Sequence, residues 1–402
     1  MITCQLNDAY FPVLDGVGMT AHNYAYWLDR LNADSYLIAP KVKDYQSEVD
    51  YEVLLYKSMV LPWMSPYRIG LPNIDMDFKR KLNSVNFDIL HAHCPFVTGQ
   101  LALSLSKKMN IPLVASFHSK YREDFKKTLD SPMFVDFMLK RVVDFYSSAD
   151  YVWVPNIATG KTLNEYGYRG EYTVVPNGTD MKIPDRTTYI NDRKNGLEFL
   201  GCKPDDFILL FVGQHRWEKN VRMIIDALKL LKDENVNFKM VFVGEGYAYN
   251  DMQALVNQMA LNERVIFTGL ISDRDKLKSI YAASDLFVFP SVYDNAPLVM
   301  MEAAAYQVPT IVVRGTSASE CIQDQVNGFT IDNNKASLAA IIKALSYHPE
   351  RIKRAGENAA SSIYRNWEGI VEEVNERYRD IIDEHARMKF KQFYVMGNVV
   401  HA

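Results

Sequence analysis

Short apolar runs alternate with amphipathic stretches along almost the whole chain, and this pattern predicts buried parallel strands separated by helices. The predicted strands cover residues 2–6, 36–39, 52–60, 87–90, 112–117, 149–155, 172–175, 207–212, 238–243, 265–267, 286–289 and 310–313. Further helices, predicted at 336–346, 349–365 and 367–387, close the chain. Such alternation favours an α/β fold of doubly wound parallel sheets over a barrel of hairpins.

The most informative stretch is residues 287–313, which reads as a strand, a loop, a helix and a second strand. The loop follows the carboxyl end of a predicted parallel strand, where open α/β sheets bind their ligands. A helix is predicted to start near Ala296, and its first amides can hold a phosphate. Asp294 in the loop and Glu302 in the helix are separated by seven residues, and both can accept hydrogen bonds from ribose or sugar hydroxyls.

An acidic residue, seven residues and a glutamate, followed by a small-residue helix and Pro309-x-Ile311, resembles the donor-site signature of the retaining nucleotide-sugar glycosyltransferases of family four. The resemblance continues over most of the chain. It implies a GT-B fold, in which two Rossmann-like doubly wound domains face each other across a cleft and a C-terminal helix crosses back. The expected domains are 1–182, joined by about 380–402, on the acceptor side, and 183–379 on the donor side.

Composition agrees with an ordinary globular enzyme of two domains. The 402 residues are 48% hydrophobic and 23% charged, and the net charge of −4 gives no reason to expect nucleic-acid binding. The four cysteines lack metal-ligand spacing and are expected to be reduced thiols of a cytoplasmic protein. No signal peptide or membrane-spanning run is recognisable, so any membrane contact is expected to be peripheral, on the inner face.

The predicted strand 207–212 leads into a loop that resembles the family's diphosphate-binding loop, to which an arginine and a lysine contribute. Arginine offers a planar fork and lysine a mobile point charge, and both suit phosphate. Lys219 matches the family's lysine, whereas Gln214 stands where the arginine is usual. Arg216, two residues later, is expected to substitute for it. The alternative interpretation of Arg216 is a surface cation stacked on Trp217.

In the first half, the loop after the first predicted strand contains Gly16 and Gly18, which permit positive φ, and Thr20 is expected to cap the following helix. By resemblance this loop faces the donor phosphates and the acceptor. His118 ends a predicted strand, and the family's histidine at this position reaches towards the donor sugar's primary hydroxyl. The resemblance also assigns donor binding to Gly244, Gly269, Leu270, Ala296, Pro297, Leu298 and Val299.

His91 and His93 resemble a metal pair, but no third ligand is near in sequence, and a hydrogen-bonding role at the strand end is the better interpretation. No Asp-x-Asp lies at a strand end, so no metal or cofactor is expected beyond the nucleotide-sugar substrate. Fixed amides with Lys219 and Arg216 can stabilise the leaving diphosphate. The family's same-face attack, in which a donor phosphate oxygen takes the acceptor proton, explains why paired glycosidase-type carboxylates are not obvious.

The function implied by the resemblance is transfer of a sugar from a nucleoside diphosphate, such as UDP, to a carbohydrate or glycolipid hydroxyl in carbohydrate biosynthesis. His118, Asp294, Lys219 and Arg216 are the expected catalytic residues. A nucleotide-sugar epimerase of the same fold is one alternative. A non-catalytic nucleotide-sugar-binding subunit is another, because residues 294–297 and Gln214 depart from the family pattern. A dehydrogenase is disfavoured, since no G-x-G-x-x-G with a downstream ribose acid follows the first strand.

Two segments bear on membrane contact. Residues 121–148 read as mostly helical and mix aromatic with basic positions, which can suit anionic lipid. Acidic residues dilute the positive charge, so the aromatic side chains are expected to pack against the sheet. The apolar end, 390–400, is expected to pack on the first domain.

Overall fold

The computed structural model describes residues 1–12, 15–31, 33–42, 48–60, 68–128 and 131–399, with the side chains of 128 and 391–399 excepted. The chain divides into two units. The first comprises Met1–Asn177 together with the chain from Trp367 onward, and the second is Gly178–Asn366. Each unit has its own apolar core around its own sheet.

The first unit contains a parallel sheet in the order β3-β2-β1-β6-β7-β8-β9. Its strands are β1 (Ile2–Leu6), β2 (Asp34–Pro40), β3 (Glu52–Tyr56), β6 (Ile89–Ala92), β7 (Leu113–Ser116), β8 (Tyr151–Val154) and β9 (Thr173–Val174). A separate antiparallel pair is formed by β4 (Ser58–Val60) and β5 (Arg68–Gly70). The single strand predicted over 52–60 was therefore wrong. The chain leaves the sheet at Lys57, whose amide donates to the carboxylate of Asp75 at 2.9 Å.

The helices of the first unit are α1 (Gly16–Arg30), α2 (Met76–Asn83), α3 (Val97–Met109), α4 (Tyr121–Thr128), α5 (Pro132–Ser148), α6 (Ile157–Glu165) and α14 (Trp367–Val399). The return to this unit begins at Trp367, which is buried, and continues through Tyr378, also buried. No helix in the described parts of the chain is long and apolar enough to cross a membrane.

The start of α1 differs from the expected glycine loop. Asp15 is the N-cap, and its carboxylate accepts from the amide of Gly18 at 2.8 Å. Gly16 and Gly18 therefore lie in the first helical turn, and neither has a positive φ. Thr20 does not cap the helix: it is buried, and its hydroxyl donates to the carbonyl of Gly16 at 2.9 Å. An aspartate accepts from helix amides at least as well as a threonine, and here it lies at the right place.

The stretch 121–148 forms α4 and α5 rather than one helix. Val142 and Phe145 pack in the core, as expected, but the rings of Phe134 and Phe137 are 50% and 55% exposed. The expectation that all the aromatic side chains pack against the sheet was wrong for these two. They lie on the face of α5 opposite Val135 and Leu139, which are buried. The expected packing of 390–400 falls on side chains outside the described part, except for Phe390, which is exposed.

The second unit contains a parallel sheet in the order β12-β11-β10-β13-β14-β15. Its strands are β10 (Ile208–Val212), β11 (Lys239–Val243), β12 (Val265–Gly269), β13 (Leu286–Phe289), β14 (Thr310–Val313) and β15 (Gly328–Ile331). Strand β10 is buried along its whole length, as expected of a central strand of a parallel sheet covered on both faces.

Helices on both faces of this sheet are α7 (Arg186–Leu200), α8 (Val221–Asp233), α9 (Tyr249–Gln258), α10 (Arg274–Ala283), α11 (Leu298–Ala305), α12 (Lys335–Ser346) and α13 (Pro349–Ser362). Helix α7 begins after Asp185, which caps it by accepting from the amide of Thr188 at 2.9 Å.

The strand order identifies where a ligand can enter the second unit. From β10 the chain runs to β11 and β12 on one side, and then returns to β13 on the other side of β10. Strands β10 and β13 are neighbours, and the loops that follow them run in opposite directions, which leaves a crevice between the two loops. Open parallel sheets bind their ligands at such a switch point.

Candidate active site

The loops that follow β10, β11 and β12 in the second unit are held close together by backbone hydrogen bonds. The amide of Gly213 donates to Val243 at 3.0 Å, and that of Gly244 donates to Gly269 at 2.9 Å. Gly244 has a φ of +130°, and a Cβ there would lie 2.1 Å from the carbonyl oxygen of Gly213. Only glycine fits this position, because any side chain would collide with backbone. The carboxyl ends of β10, β11 and β12 thus form one rigid rim.

Lys219 and Asp294 come into direct contact at this rim. Lys219 ends a short 3₁₀ turn after β10, and Asp294 lies in the loop after β13. Their ion pair is largely shielded, with side-chain exposures of 15% and 17%. The second carboxylate oxygen of Asp294, Oδ2, is buried and has no hydrogen-bond partner among the described residues. An unsatisfied buried carboxylate oxygen is costly, and a ligand hydroxyl can satisfy it.

Asn220 ties the same two loops together. Its backbone is left-handed, with a φ of 60°, which ends the 3₁₀ turn and starts α8. Its side-chain amide donates to the carbonyl of Pro290 at 3.2 Å and to Asn333 at 2.9 Å. Asn220 therefore fixes the spacing between the Lys219 loop and the Asp294 loop. This role was not predicted from the sequence, although an asparagine between a turn and a helix is a common left-handed position.

Arg216 does not stack on Trp217, as the alternative interpretation required. Its guanidinium lies over the ring of Tyr247, 5.7 Å from the ring centre, and donates to the side chain of Gln214 at 3.2 Å. The side chains of Gln214 and Arg216 are thus linked by one hydrogen bond. The guanidinium belongs to the same loop as Lys219, and it can supply a planar donor group to a diphosphate.

Glu302 lies one turn into α11 rather than two, because the helix begins at Leu298 with Pro297 as its N-cap. Its side chain is only 10% exposed. One carboxylate oxygen accepts from Arg274 at 2.9 Å and the other from the hydroxyl of Tyr281 at 2.8 Å. The carboxylate is thereby held in one orientation, with acceptor capacity left for a ligand hydroxyl.

Arg274 and Tyr281 are functional candidates that the sequence analysis missed. Arg274 bridges Glu302 to Asp180, with which it makes a two-point ion pair. Burial lowers the pKa of Arg274, but the two carboxylates outweigh burial and raise it. Burial, together with Glu302, raises the pKa of Tyr281, so its hydroxyl remains a donor. An arginine at a helix start is too common for sequence alone to single out.

Among the residues that the resemblance assigns to donor binding, Gly269 ends β12 with a φ of +70°. Leu270, the next residue, is 68% exposed and can cover a planar ligand. Behind this rim, His215 is fully buried and stacks on Tyr249 with 5.6 Å between ring centres. Neither of its ring nitrogens has a hydrogen-bond partner among the described residues. Burial lowers the pKa of His215 to about 4, so the ring is neutral at pH 7.

His118 lies in the first unit, two residues beyond β7. Its Nε2 is 3.3 Å from Nδ1 of His93, and burial lowers its pKa to about 4. The hydrogen-bonding role predicted for His91 and His93 is confirmed: His91 bonds Ser116 and Tyr378, and His93 bonds Gln5. Among the described residues, no group of three or more His, Cys, Asp or Glu is arranged to hold a metal ion.

The structure thus brings some of the predicted site residues together. Lys219 and Asp294 touch, Arg216 and Gln214 share the Lys219 loop, and Glu302 lies in the helix that follows Asp294. The backbone that links Asp294 to α11 runs through Ala296, Pro297, Leu298 and Val299. Gly16, Gly18 and His118 belong to the first unit.

Comparison with protein families also points to the glycosyltransferases that the sequence resembles. Residues 14–182 match the model of Glycosyltransferase Family 4, and residues 192–362 match that of Glycosyl transferases group 1. Together these two modules span most of the chain, in the order that the resemblance implied.

Relatives and solved structures match over nearly the whole chain. An alpha-monoglucosyldiacylglycerol synthase of Acholeplasma laidlawii is 22% identical, covering 95% of this chain and 97% of its own. A GDP-mannose-dependent alpha-mannosyltransferase of Corynebacterium glutamicum is 23% identical, with coverages of 96% and 90%. The structure of sucrose-phosphate synthase from Thermosynechococcus elongatus superposes with a TM-score of 0.79 at 18% identity, covering 95% of this chain and 99% of that one.

The fold is therefore that of the GT-B enzymes, with two Rossmann-like parallel-sheet domains, as the sequence predicted. The chain belongs to the nucleotide-sugar-dependent glycosyltransferases of family four, and the match to Glycosyl transferases group 1 lies in its second unit. No finding favours the epimerase alternative.

Proposed function

We propose that this glycosyltransferase moves a hexose from a UDP-sugar to an acceptor hydroxyl with retention of anomeric configuration. The observation that carries the proposal is the contact between Lys219 and Asp294 at the switch point of the second unit's sheet. Glu302 lies in the helix that follows Asp294. The contact supports the roles of Lys219 as the cation for the diphosphate and of Asp294 as the carboxylate for the sugar, and Glu302 is proposed as the carboxylate for the ribose.

Lys219 binds the diphosphate in this proposal and stabilises the charge that develops as it leaves. The first amides of α11, from Leu298 and Val299, add fixed donors at a helix N-terminus. Arg216 contributes a second cation from the same loop. Preorganised donors of this kind are worth several kcal/mol in a site from which water is excluded.

Asp294 positions the sugar rather than attacking it. Its oxygen Oδ1 is engaged by Lys219, and its buried Oδ2 is suited to accept a sugar hydroxyl. In the retaining step, the bond from the anomeric carbon to the diphosphate oxygen breaks and a bond to the acceptor oxygen forms on the same face. The acceptor proton passes to the departing diphosphate oxygen. No metal or cofactor is part of this proposal.

The acceptor is proposed to be a lipid-linked or glycolipid hydroxyl, reached by peripheral contact with the cytoplasmic face of a membrane. The relative from Acholeplasma laidlawii is named as a synthase of a glucosylated diacylglycerol. The exposed apolar side chains of Met59 and Val60 lie on β4, and those of Ile74 and Met76 lie on either side of Asp75, the N-cap of α2. The hydrogen bond from the amide of Lys57 to Asp75 joins the two segments.

Charge favours this surface over the exposed rings of α5. Helix α2 carries Lys79, Arg80 and Lys81 against a single acidic residue, Asp77. Helix α5 balances Lys140 and Arg141 with two aspartates, so it has no net charge to attract anionic lipid. Basic residues beside apolar ones on a helix surface are typical of segments that lie on membranes.

The donor is tested by transfer assays with UDP- and GDP-sugars, in the presence of diacylglycerol or free sugar acceptors, with the anomer of the product read by NMR. The proposal predicts an α-linked product from an α-linked donor. A β-linked product would overturn retention. Binding of donors without transfer to any acceptor class would favour the non-catalytic subunit instead.

Membrane contact is tested by flotation with vesicles of anionic phosphatidylglycerol or neutral phosphatidylcholine. We expect binding to anionic vesicles only, with a loss in the Met76→Ser/Arg80→Glu variant and no loss in the matched Phe137→Ser/Arg141→Glu variant of α5. The opposite ranking of the two variants would move the contact to α5, and equal binding to neutral vesicles would remove the role of charge.

A further inference from the structure

Three histidine rings are packed together at the carboxyl edge of the first unit's sheet. The ring centres of His91 and His93 are 4.2 Å apart, and those of His93 and His118 are 5.5 Å apart. Burial, reinforced by the neighbouring imidazoles, lowers the pKa of both His91 and His93, so that each is neutral at pH 7. In a neutral imidazole one nitrogen donates and the other accepts, and the hydrogen-bond partners decide which.

Gln5 sets the direction of the hydrogen bonds at one end of this group. Its side-chain amide donates to the hydroxyl of Tyr378 at 3.4 Å, so its carbonyl oxygen faces Nε2 of His93, at 2.9 Å. A carbonyl oxygen can only accept, and His93 must therefore carry its proton on Nε2. The other nitrogen of His93, Nδ1, is then an acceptor. It lies 3.3 Å from Nε2 of His118, which has to donate.

We infer that Gln5 and His93 are positioning residues that hold His118 in the tautomer with its proton on Nε2, so that Nδ1 is its accepting nitrogen. The inference rests on the proposed function and deepens it by adding a contact that the family resemblance implies, between His118 and the donor sugar's primary hydroxyl. An accepting nitrogen can take a hydrogen bond from the primary hydroxyl of a hexose. A hexuronate carries a carboxylate at that position, which has no proton to donate, so the nitrogen would face only lone pairs. The three residues therefore favour hexose donors over the corresponding hexuronate donors.

The reverse direction is chemically consistent and gives the opposite result. If the Gln5 side chain turned by half a rotation, its amide would donate to His93, and every hydrogen bond in the series would reverse. His118 would then carry its proton on Nδ1. The two arrangements differ in one observable, the protonated nitrogen of His118.

Ser116 supplies a matched control. Its hydroxyl bonds Nε2 of His91 at 2.7 Å, and His91 is not a member of the Gln5–His93–His118 series, to which its hydrogen bonds connect, among the described residues, only through the hydroxyl of Tyr378. Like Gln5, Ser116 is buried, and each change removes a hydrogen bond of a buried imidazole. Ser116→Ala and Gln5→Met are thus comparable structural losses, of which only the second breaks the series. Methionine nearly keeps the volume of glutamine, which limits the disturbance of the core.

The test is NMR of the full-length protein with ¹³C- and ¹⁵N-labelled histidine at pH 7, with the His118 signals assigned from those that disappear in His118→Ala. We expect the Nε2-protonated signature for His118 in the wild type and in Ser116→Ala, and mixed tautomers in Gln5→Met. An Nδ1-protonated His118 in the wild type would overturn the inference, and that measurement needs no variant to fold. An unchanged His118 signature in a folded Gln5→Met would also overturn it.

A kinetic arm links the tautomer to specificity. The ratio of kcat/KM for a UDP-hexose to that for its UDP-hexuronate is expected to fall roughly tenfold or more in Gln5→Met. It should not change in Ser116→Ala, even if both variants melt lower. If His118→Ala is fully active while His118 of the wild type shows the Nε2-protonated signature, the proposed contact with the sugar is overturned but the tautomer assignment holds. A failure of the contact can therefore be told apart from a failure of the tautomer assignment.

Discussion

The ammonium of Lys219 touches the carboxylate of Asp294 where the strand order of the second unit's sheet reverses. The two residues are 75 positions apart in sequence, on loops that leave neighbouring strands. When no donor is bound, the charges of the two side chains neutralise each other at a position largely shielded from solvent. In the proposed function Lys219 keeps this contact while it binds the diphosphate, and Oδ2 of Asp294 accepts a sugar hydroxyl.

Lys219→Ala is expected to weaken binding of the nucleoside diphosphate and nearly to abolish transfer. A charge-assisted hydrogen bond is worth about 1.5–3 kcal/mol, which corresponds to roughly 10- to 150-fold in affinity. Titration calorimetry with UDP measures the loss. Lys229→Ala is the control, because that lysine forms an exposed pair with Asp233 in α8. Wild-type affinity and turnover in Lys219→Ala would reject the donor-site assignment.

Arg216→Ala is expected to reduce transfer more than Gln214→Ala does. The guanidinium brings positive charge to the donor loop, whereas Gln214 holds it through a neutral hydrogen bond at 3.2 Å. Steady-state kinetics for the two variants, with donor concentration varied, give the ranking. The reverse ranking would assign the family arginine's role to Gln214 and leave Arg216 as a cation on Tyr247.

Glu302→Gln and Asp294→Asn are expected to lose different properties, the first its affinity for UDP and the second its turnover rate. In the proposed function Glu302 binds the ribose, so its loss should weaken binding of both UDP and the whole donor. Asp294 is proposed to bind the sugar, so Asp294→Asn should leave UDP affinity nearly unchanged and lower kcat. Equal losses of UDP affinity in the two variants would contradict this division.

Arg274→Lys extends that prediction to the residue that orients Glu302. A lysine cannot bridge Asp180 and Glu302 in a plane, so the preference for UDP over 2′,3′-dideoxy-UDP is expected to fall several-fold. Tyr281→Phe should lower it less, because the bond it removes comes from a neutral donor. An unchanged preference in Arg274→Lys would mean that Glu302 does not contact the ribose hydroxyls.

His118→Ala is expected to fold normally and to lose activity. The His118 ring is only half-buried, and its proposed partner is the donor sugar rather than the core. Thermal melting and transfer kinetics on the same preparation separate the two effects. A much lower Tm with intact residual activity would show that the histidine is structural.

Acid should destabilise the protein through His215, because burial lowers its folded pKa to about 4, below the unfolded value near 6.5. Between these values the unfolded chain binds more protons, so this contribution to stability is lost as pH falls from about 6.5 to 4. The loss is at most about 3 kcal/mol at pH 4.

Tm measured across this range should fall less steeply in His215→Leu than in the wild type. His348→Asn is the control, because that ring is exposed beside Glu350. Parallel Tm profiles for His215→Leu and the wild type would show that the buried ring does not remain neutral on acidification.

Local pattern was enough to predict the α/β class, the duplicated Rossmann-like architecture and the family. Runs such as Ile208–Val212 and Leu286–Phe289 are apolar at every position, as is typical of strands buried on both faces. They can therefore be recognised as strands from the sequence alone. The pair Asp294 and Glu302 was found for the same reason: both lie in one continuous loop-helix segment.

Local pattern failed where two choices were both chemically sound. Thr20 and Asp15 are both good helix caps, and only the folded chain, with Asp15 accepting from Gly18, decides between them. The strand predicted through Lys57 breaks because Asp75, 18 residues away, takes its amide. Phe134 and Phe137 lie exposed because the core fills with other side chains of the same helix.

The contacts that give the site its chemistry were decided by tertiary structure alone. Arg274 meets Glu302 from another helix, Asn220 bridges two loops, and Gln5 reaches the histidines across parallel strands. Each depends on strand order and on the distance between loops. A sequence carries such information only through the free energy of the whole fold, whereas periodicity and turn residues carry the identity of each element directly. For this protein, sequence therefore determined the elements and the family, and folding decided which side chains meet.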